Sequence, residues 1–226
     1  MAFDGITIAN LTKDFSDRLT GGRIYKIAQT ESDELFITVK LSFENADKYG
    51  IKQEKIVLSA DASLPLTYLS DETKQSPMTA PNFCMLLRKH IQNGKIIDVH
   101  QPGLERIIRI EIEHLDEMGD LRHKTLLMEL MGKYSNIIFV DEDNKIIDSI
   151  KHIPSSVSSV REVLPGRDYF VPETQDKLNP LNSSKDDFMS IVPSKGQPLF
   201  KALYGSFTGL SPAISQEICF RAGVAG

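Results

Sequence analysis

The strongest pattern along the chain lies between Gln101 and Asn136. Ile107-Ile108-Arg109-Ile110-Glu111-Ile112-Glu113 places apolar residues at every second position, which predicts a half-buried β-strand. Asp116-Glu117-Met118-Gly119-Asp120 reads as a turn, and a return strand runs from Arg122. A hairpin of this length is antiparallel, so the start of its first strand lies beside the end of its second. Gly103-Leu104-Glu105-Arg106 precedes the first strand, and Glu129-Leu130-Met131-Gly132-Lys133-Tyr134-Ser135-Asn136 ends the second. The pattern therefore predicts that two polar motifs meet at the open end of one hairpin.

The rest of the chain arranges itself around this hairpin. Thr7 is expected to cap a helix over residues 8–20, with Ile8, Leu11, Phe15 and Leu19 as its apolar stripe and Gly21-Gly22 ending it. Alternation predicts strands over 23–29, 34–41, 55–60, 64–69, 95–100, 136–140 and 145–150, and polar residues 42–54 read as a long hairpin loop. Pro81 suits the first position of a helix through Ile91 that buries Phe83, Leu86 or Leu87, and Ile91, with Arg88 and Lys89 on the opposite side. After Lys151 periodicity fades. Residues 154–182, with their prolines and serines, read as an extended connector lying against the preceding domain. Helical signals return over 199–204 and 213–222, separated by the turn Ser206-Phe207-Thr208-Gly209-Leu210-Ser211-Pro212. This arrangement resembles a helix-hairpin-helix element, whose backbone N–H groups hold a phosphate. A plain αα-hairpin packed on the sheet fits the same residues. The division expected is a β-rich domain over 1–178 and the start of a second, helical one over 179–226.

Composition narrows the functions available. A formal net charge of −5 excludes a generally basic surface for duplex DNA or acidic lipid, so any nucleic-acid contact must come from a local patch. Cys84 and Cys219 lie far apart and read as buried, unpaired thiols of a reducing compartment. The histidines are scattered without metal-ligand spacing, and the N-terminus lacks the basic and apolar regions of an export signal. A cytoplasmic protein without metal or cofactor is expected.

Candidate chemistry is sparse. No nucleophile elbow, carboxylate pair or histidine-anchored triad is found, so catalysis is not expected. Glu105 and Arg106 read on their own as solvated charges at a strand start, facing opposite sides of the sheet. Met131-Gly132 suggests a bulge or a close backbone approach. Lys133-Tyr134-Ser135-Asn136 offers a cation, an aromatic face, a hydroxyl and an amide, which suit unstacked RNA but also an ordinary sheet edge. The serines of residues 155–159 read as a loop satisfying its own backbone.

Taken together, Met1-Ala2-Phe3-Asp4-Gly5, Gly21-Gly22-Arg23-Ile24, Pro81-Asn82-Phe83-Cys84-Met85-Leu86-Leu87-Arg88-Lys89-His90, the Glu129 to Asn136 motif and Val163-Leu164-Pro165-Gly166 resemble the N-terminal domain of the NFACT family. The resemblance runs over the whole chain. It implies an α+β fold, a β-rich sandwich with flanking helices like the N-terminal domain of formamidopyrimidine-DNA glycosylases, followed by a small helix-hairpin-helix region. It also implies binding to tRNA and to the large (50S) ribosomal subunit carrying peptidyl-tRNA. There such factors recruit alanyl-tRNA for template-free C-terminal tailing of stalled nascent chains, the ribosome making the bond. By this resemblance Glu105 and Arg106 occupy the place of the family's tRNA-binding Asp-Arg pair. Glu129, Leu130, Met131 and Lys133 occupy its Glu-Ile-Met-Gly-Arg segment. Glu105 adds a methylene to the family's acid, and Lys133 loses the planar fork of its arginine. The glycosylase activity is not implied, because the N-terminal proline and glutamate of those enzymes are absent. The family's older label, fibronectin-binding protein A-like, supplies the alternative of a surface adhesin that binds fibronectin.

Overall fold

The computed structural model describes residues 3–171 and 176–224. Nine strands form one antiparallel sheet, in the order β4-β3-β2-β1-β5-β6-β7-β8-β9. These are β1 (Arg23–Glu31), β2 (Glu34–Lys40), β3 (Gln53–Ser59), β4 (Leu66–Leu69), β5 (Lys95–His100), β6 (Ile107–Leu115), β7 (Leu121–Glu129), β8 (Asn136–Asp141) and β9 (Ile146–Ser149). The sandwich expected from the sequence takes the form of one bent sheet. β1 meets β5 through the single residue pair Arg23↔Lys95, whereas β1 and β2 pair along most of their length. At this narrow junction the sheet turns, and both halves line one core with the helices α1 (Gly5–Leu19) and α3 (Asn82–Ile91). Its two ends approach each other, where the Lys151 ammonium donates to the Ala60 carbonyl.

Helix α1 starts earlier than the sequence suggests. Asp4, not Thr7, is its N-cap, and its carboxylate accepts from the Thr7 N–H at 2.8 Å and the Thr7 hydroxyl at 2.9 Å. An acid here both caps the helix and meets the positive end of its dipole, so it outcompetes threonine. Ile8, Phe15 and Leu19 are buried as the stripe predicts. The expected loop at 42–54 contains a short helix, α2 (Phe43–Tyr49), capped by the Ser42 hydroxyl and stopped at Gly50. Helix α3 buries Phe83, Cys84, Leu87 and Ile91. Arg88 does not project away from the core. Its Nε donates to the Ile27 carbonyl at 2.8 Å, tying α3 to β1.

The connector after β9 packs on the outer face of the hairpin half of the sheet. Val163 and Tyr169 join Ile107, Leu127, Ile138, Val140 and Ile146 in a second apolar cluster. β8 is therefore covered on both faces, which explains why its residues are buried almost without alternation. Three helices follow, α4 (Lys185–Ile191), α5 (Leu199–Ser206) and α6 (Pro212–Arg221), gathered around Val192, Ala202, Leu203, Phe207 and Cys219. Cys84 and Cys219 are free and buried. Among the described residues no helix is long and apolar enough to cross a membrane.

Candidate nucleic-acid interface

The hairpin β6–β7 forms antiparallel as its pattern predicts, and its register runs from Ile107↔Glu129 to Leu115↔Leu121. Its open end does bring the two motifs together: the Leu130 N–H donates to the Arg106 carbonyl at 2.8 Å. Beyond Leu130 the strand breaks into a 3-10 turn, Gly132–Tyr134, rather than a bulge. Gly132 sits at φ 60°, a left-handed conformation that glycine adopts without steric cost.

Burial then sorts the site residues that the sequence proposes. Glu105 and Arg106 are half-buried, Met131 is half-buried, and Lys133 and Tyr134 are exposed, with the Lys133 ammonium 4.9 Å from the Tyr134 ring centroid. Glu129 and Leu130 are in the core, Glu129 with no exposed surface at all. Neither offers a side chain to a ligand. Glu129 is consumed internally, accepting from the Tyr169 hydroxyl at 2.8 Å and pairing with the Arg161 guanidinium. Burial raises the Tyr169 hydroxyl pKa, and the neighbouring Glu129 carboxylate adds to the rise. Burial works against the Arg161 charge, but Glu129 outweighs it and raises the pKa. Ser135 and Asn136 are likewise turned inward. The Ser135 hydroxyl accepts from the Met131 N–H at 2.8 Å, and the Asn136 amide donates to the Lys151 carbonyl at 2.9 Å. Of the groups in that motif suited to RNA, Lys133 and Tyr134 are the ones left outside. Arg161 and Tyr169, which hold Glu129, carry no local sequence signal for that role.

Glu105 and Arg106 open onto a cleft of about 980 Å³, which also includes Asp4, Pro102, Asp176, Lys177 and the turn before α6. The α5–α6 turn reaches this cleft through backbone contacts. The Gly5 N–H donates to the Gly209 carbonyl at 2.8 Å, and Gly209 takes φ 78°. The Ser211 hydroxyl, which caps α6, donates to the second oxygen of Asp4 at 2.6 Å. One carboxylate thus serves the starts of both α1 and α6, and the α6 start is filled by the protein's own acid. Gln101 ties two of the lining residues together, its amide donating to the Gly5 and Glu105 carbonyls at 2.9 and 2.7 Å. Burial raises the Glu105 carboxyl pKa against the pull of Arg106 and Lys177. The Lys177 ammonium pKa is lowered by burial and by Arg106.

The turn end of the hairpin carries a second hollow, of about 560 Å³, around His90, His114 and Lys124. The Lys124 ammonium lies 2.9 Å from His114 Nε2 and 3.4 Å from His90 Nδ1, which requires both rings to accept and hence to be neutral. Burial lowers both histidine pKa values from the ordinary 6.5, and Lys124 lowers them further. In the unfolded chain these rings bind protons at higher pH than in the folded one. Stability should therefore be complete above the ordinary value and decline as pH falls through the depressed ones. Chemical denaturation between pH 7 and about pH 5 should show this decline, and His114→Gln, which keeps an acceptor for Lys124 without titrating, should flatten it. An equal pH dependence in the variant would remove His114 as its source.

A bent antiparallel sheet whose hairpin end is roofed by a docked helical segment, enclosing a cleft with charged walls, defines an α+β protein built to present that hairpin end. The chain belongs to the NFACT family: residues 4–226 match the model described as NFACT N-terminal and middle domains. It is similar to the Rqc2 homolog RqcH of Bacillus subtilis, 37% identical over 226 residues, covering 100% of this chain and 38% of that protein. RqcH of Streptococcus suis is 33% identical over 219 residues, covering 96% of this chain and 38% of that protein. The chain thus spans well under half the length of these relatives. Among solved structures, the N-terminal domain of the fibronectin-binding protein PavA from Streptococcus pneumoniae matches with a TM-score of 0.86 at 30% identity, covering 98% of this chain and 80% of that one. The fibrinogen binding protein from Staphylococcus aureus matches with a TM-score of 0.83 at 31% identity, covering 100% and 77%.

Proposed function

We propose that this chain is the tRNA-binding front portion of a cytoplasmic ribosome quality control factor. In this reading it engages the large ribosomal subunit carrying peptidyl-tRNA and positions alanyl-tRNA for template-free tailing. The ribosome makes the peptide bond, and this chain supplies no catalytic group. The observation that carries the reading is the placement of Glu105 and Arg106. They stand at a concave opening with no side-chain hydrogen bond or ion pair among the described residues. An arginine left free in this way takes a phosphate through its fork or stacks on an unpaired base, while Glu105 accepts from a base amino group. Lys133 and Tyr134 add a nearby cation and an aromatic face. Glu129, Leu130 and Met131 act from beneath, by holding the strand end that fixes the Arg106 backbone. The family relationship and the RqcH names of its relatives support the same assignment.

The test is tRNA affinity at fixed salt. Arg106→Ala should lose roughly 1–3 kcal/mol of binding, as expected for one charge-assisted or stacking contact, while circular dichroism remains that of the folded chain. Arg106→Lys should restore part of the loss, since the ammonium lacks the fork. Unchanged affinity in folded Arg106→Ala would remove this pair from the interface.

A second reading is favoured by the similar solved structures, which belong to a fibronectin-binding and a fibrinogen-binding protein. Under it the chain is part of a surface adhesin. Sedimentation separates the two, because a quality control factor travels with free large subunits and an adhesin does not. We also infer a unit boundary at 178/179, with α5 and α6 forming a helix-hairpin-helix element that belongs to the second unit.

A further inference from the structure

We infer that Lys177 is a third member of the cleft site, and that it and Arg106 clamp one phosphodiester of single-stranded RNA between the hairpin end and the connector. The inference rests on the reading of Arg106 as an RNA contact and names the group that the cleft takes.

Elsewhere in the molecule, several half-buried cations are matched by acids, and others by backbone carbonyls. Arg18 pairs with Glu54 at 2.8 Å, Lys74 with Glu34 at 2.6 Å, and Arg161 with Glu129. In the cleft neither kind of partner is found for Arg106 or Lys177 among the described residues. Arg106 and Lys177 both line the cleft and are half-buried, burial and then the Arg106 charge lower the Lys177 ammonium pKa, and neither has an ion pair or side-chain hydrogen bond among the described residues. Two like charges held near one another in a concavity repel, and an anion between them relieves that repulsion.

The acids lining the cleft do not fill this role. Asp4 is taken up by Thr7 and Ser211, and Asp176 is exposed. Glu105 is near enough to feel both cations yet pairs with neither within 4.0 Å.

Nor is Lys177 loosely placed. The next residue, Leu178, is fixed on both sides of its peptide: its N–H donates to the Ser206 carbonyl at 2.9 Å and its carbonyl accepts from the Thr208 N–H at 2.9 Å. Leu178 also forms a parallel bridge with Phe207. Arg106 is anchored on the opposite wall by its carbonyl, which accepts from the Leu130 N–H. The two cations are thus mounted on separate elements, and the width between them is set by the docking of the α5–α6 turn on Gly5. A phosphate is the anion of choice because arginine matches two of its oxygens and lysine meets it as a point charge. A single strand is indicated because the Glu105 carboxyl beside them reads a base edge only when that base is unpaired.

The experiment measures binding of tRNA and of a short single-stranded RNA over a salt series, for the parent and for Lys177→Gln, Lys177→Arg and Arg106→Ala. Lys177→Gln should weaken binding about tenfold at low salt, the size of one charge-assisted contact. It should also reduce the steepness of log affinity against log salt by about one phosphate's share, which a purely structural loss does not do. Lys177→Arg should keep both. Loss of binding in Arg106→Ala with an unchanged affinity and salt slope in Lys177→Gln would overturn this inference and leave the proposed function standing. Unchanged binding in both variants would overturn both.

Discussion

Arg161→Met should destabilise the fold by roughly 3–5 kcal/mol, the cost of leaving one member of a buried ion pair alone. Glu129 is fully buried, and Arg161 is the cation that meets it. With the guanidinium gone, the Tyr169 hydroxyl remains as its single side-chain hydrogen-bond donor among the described residues. The methionine fills the apolar volume but gives the charge nothing. Joint replacement, Glu129→Leu with Arg161→Met, should recover most of the loss, since removing both partners eliminates the uncompensated charge. Urea denaturation gives the answer from the midpoint at constant slope. A single variant within about 1 kcal/mol of the parent would remove the Glu129–Arg161 pair as a source of that stability. Under the proposed function the effect extends to tRNA binding, because Glu129 ends β7 and the next residue, Leu130, bonds the Arg106 carbonyl. A partly folded variant should therefore also lose tRNA affinity without any change to an exposed residue.

Gly209→Ala should undock the helical segment from the sheet. Gly209 holds φ 78°, and a Cβ there would land on the Leu104 carbonyl oxygen and 2.6 Å from the Leu104 Cβ. The left-handed backbone costs an alanine roughly 1–2 kcal/mol and the overlap about 1–3 more. Gly5, on the other side of the contact, has no room either, since its Cβ would meet the Leu104 carbonyl oxygen and lie 2.6 Å from the Gly209 Cα. The loss should appear as faster proteolysis within 179–185, with the sheet core still protected. Gly205→Ala, where a Cβ meets nothing within 4 Å, is the control. Protease resistance equal to the parent in Gly209→Ala would show that the close approach to Leu104 does not hold the segment in place.

The hairpin and the meeting of its two motifs were legible in the chain because strand alternation and turn residues act over a few positions. The faces of α1 and α3 were legible for the same reason, as was the burial of both cysteines. The start of α1 shows where such reasoning loosens. Thr7 and Asp4 both satisfy the capping rule, the acid also meets the helix dipole, and its second oxygen accepts from Ser211, 207 positions away, a contact that no local pattern announces.

The roles inside the candidate site could not be read that way. Glu129 lies on a strand end where either face is open to it, and its burial follows from the connector that covers the outer side of β6–β9. Its cation comes from 32 residues away and its hydroxyl donor from 40. Ser135 and Asn136 look like ligand-facing groups until Met131 and Lys151 claim them. Periodicity, caps and turns are properties of neighbouring peptide units, so the order of residues specifies them directly. Which carboxylate is buried, which cation pairs with it and which cations are left unpaired depend on segments remote in sequence arriving at one place. That arrival is settled by packing, because the desolvation of a charge depends on everything around it.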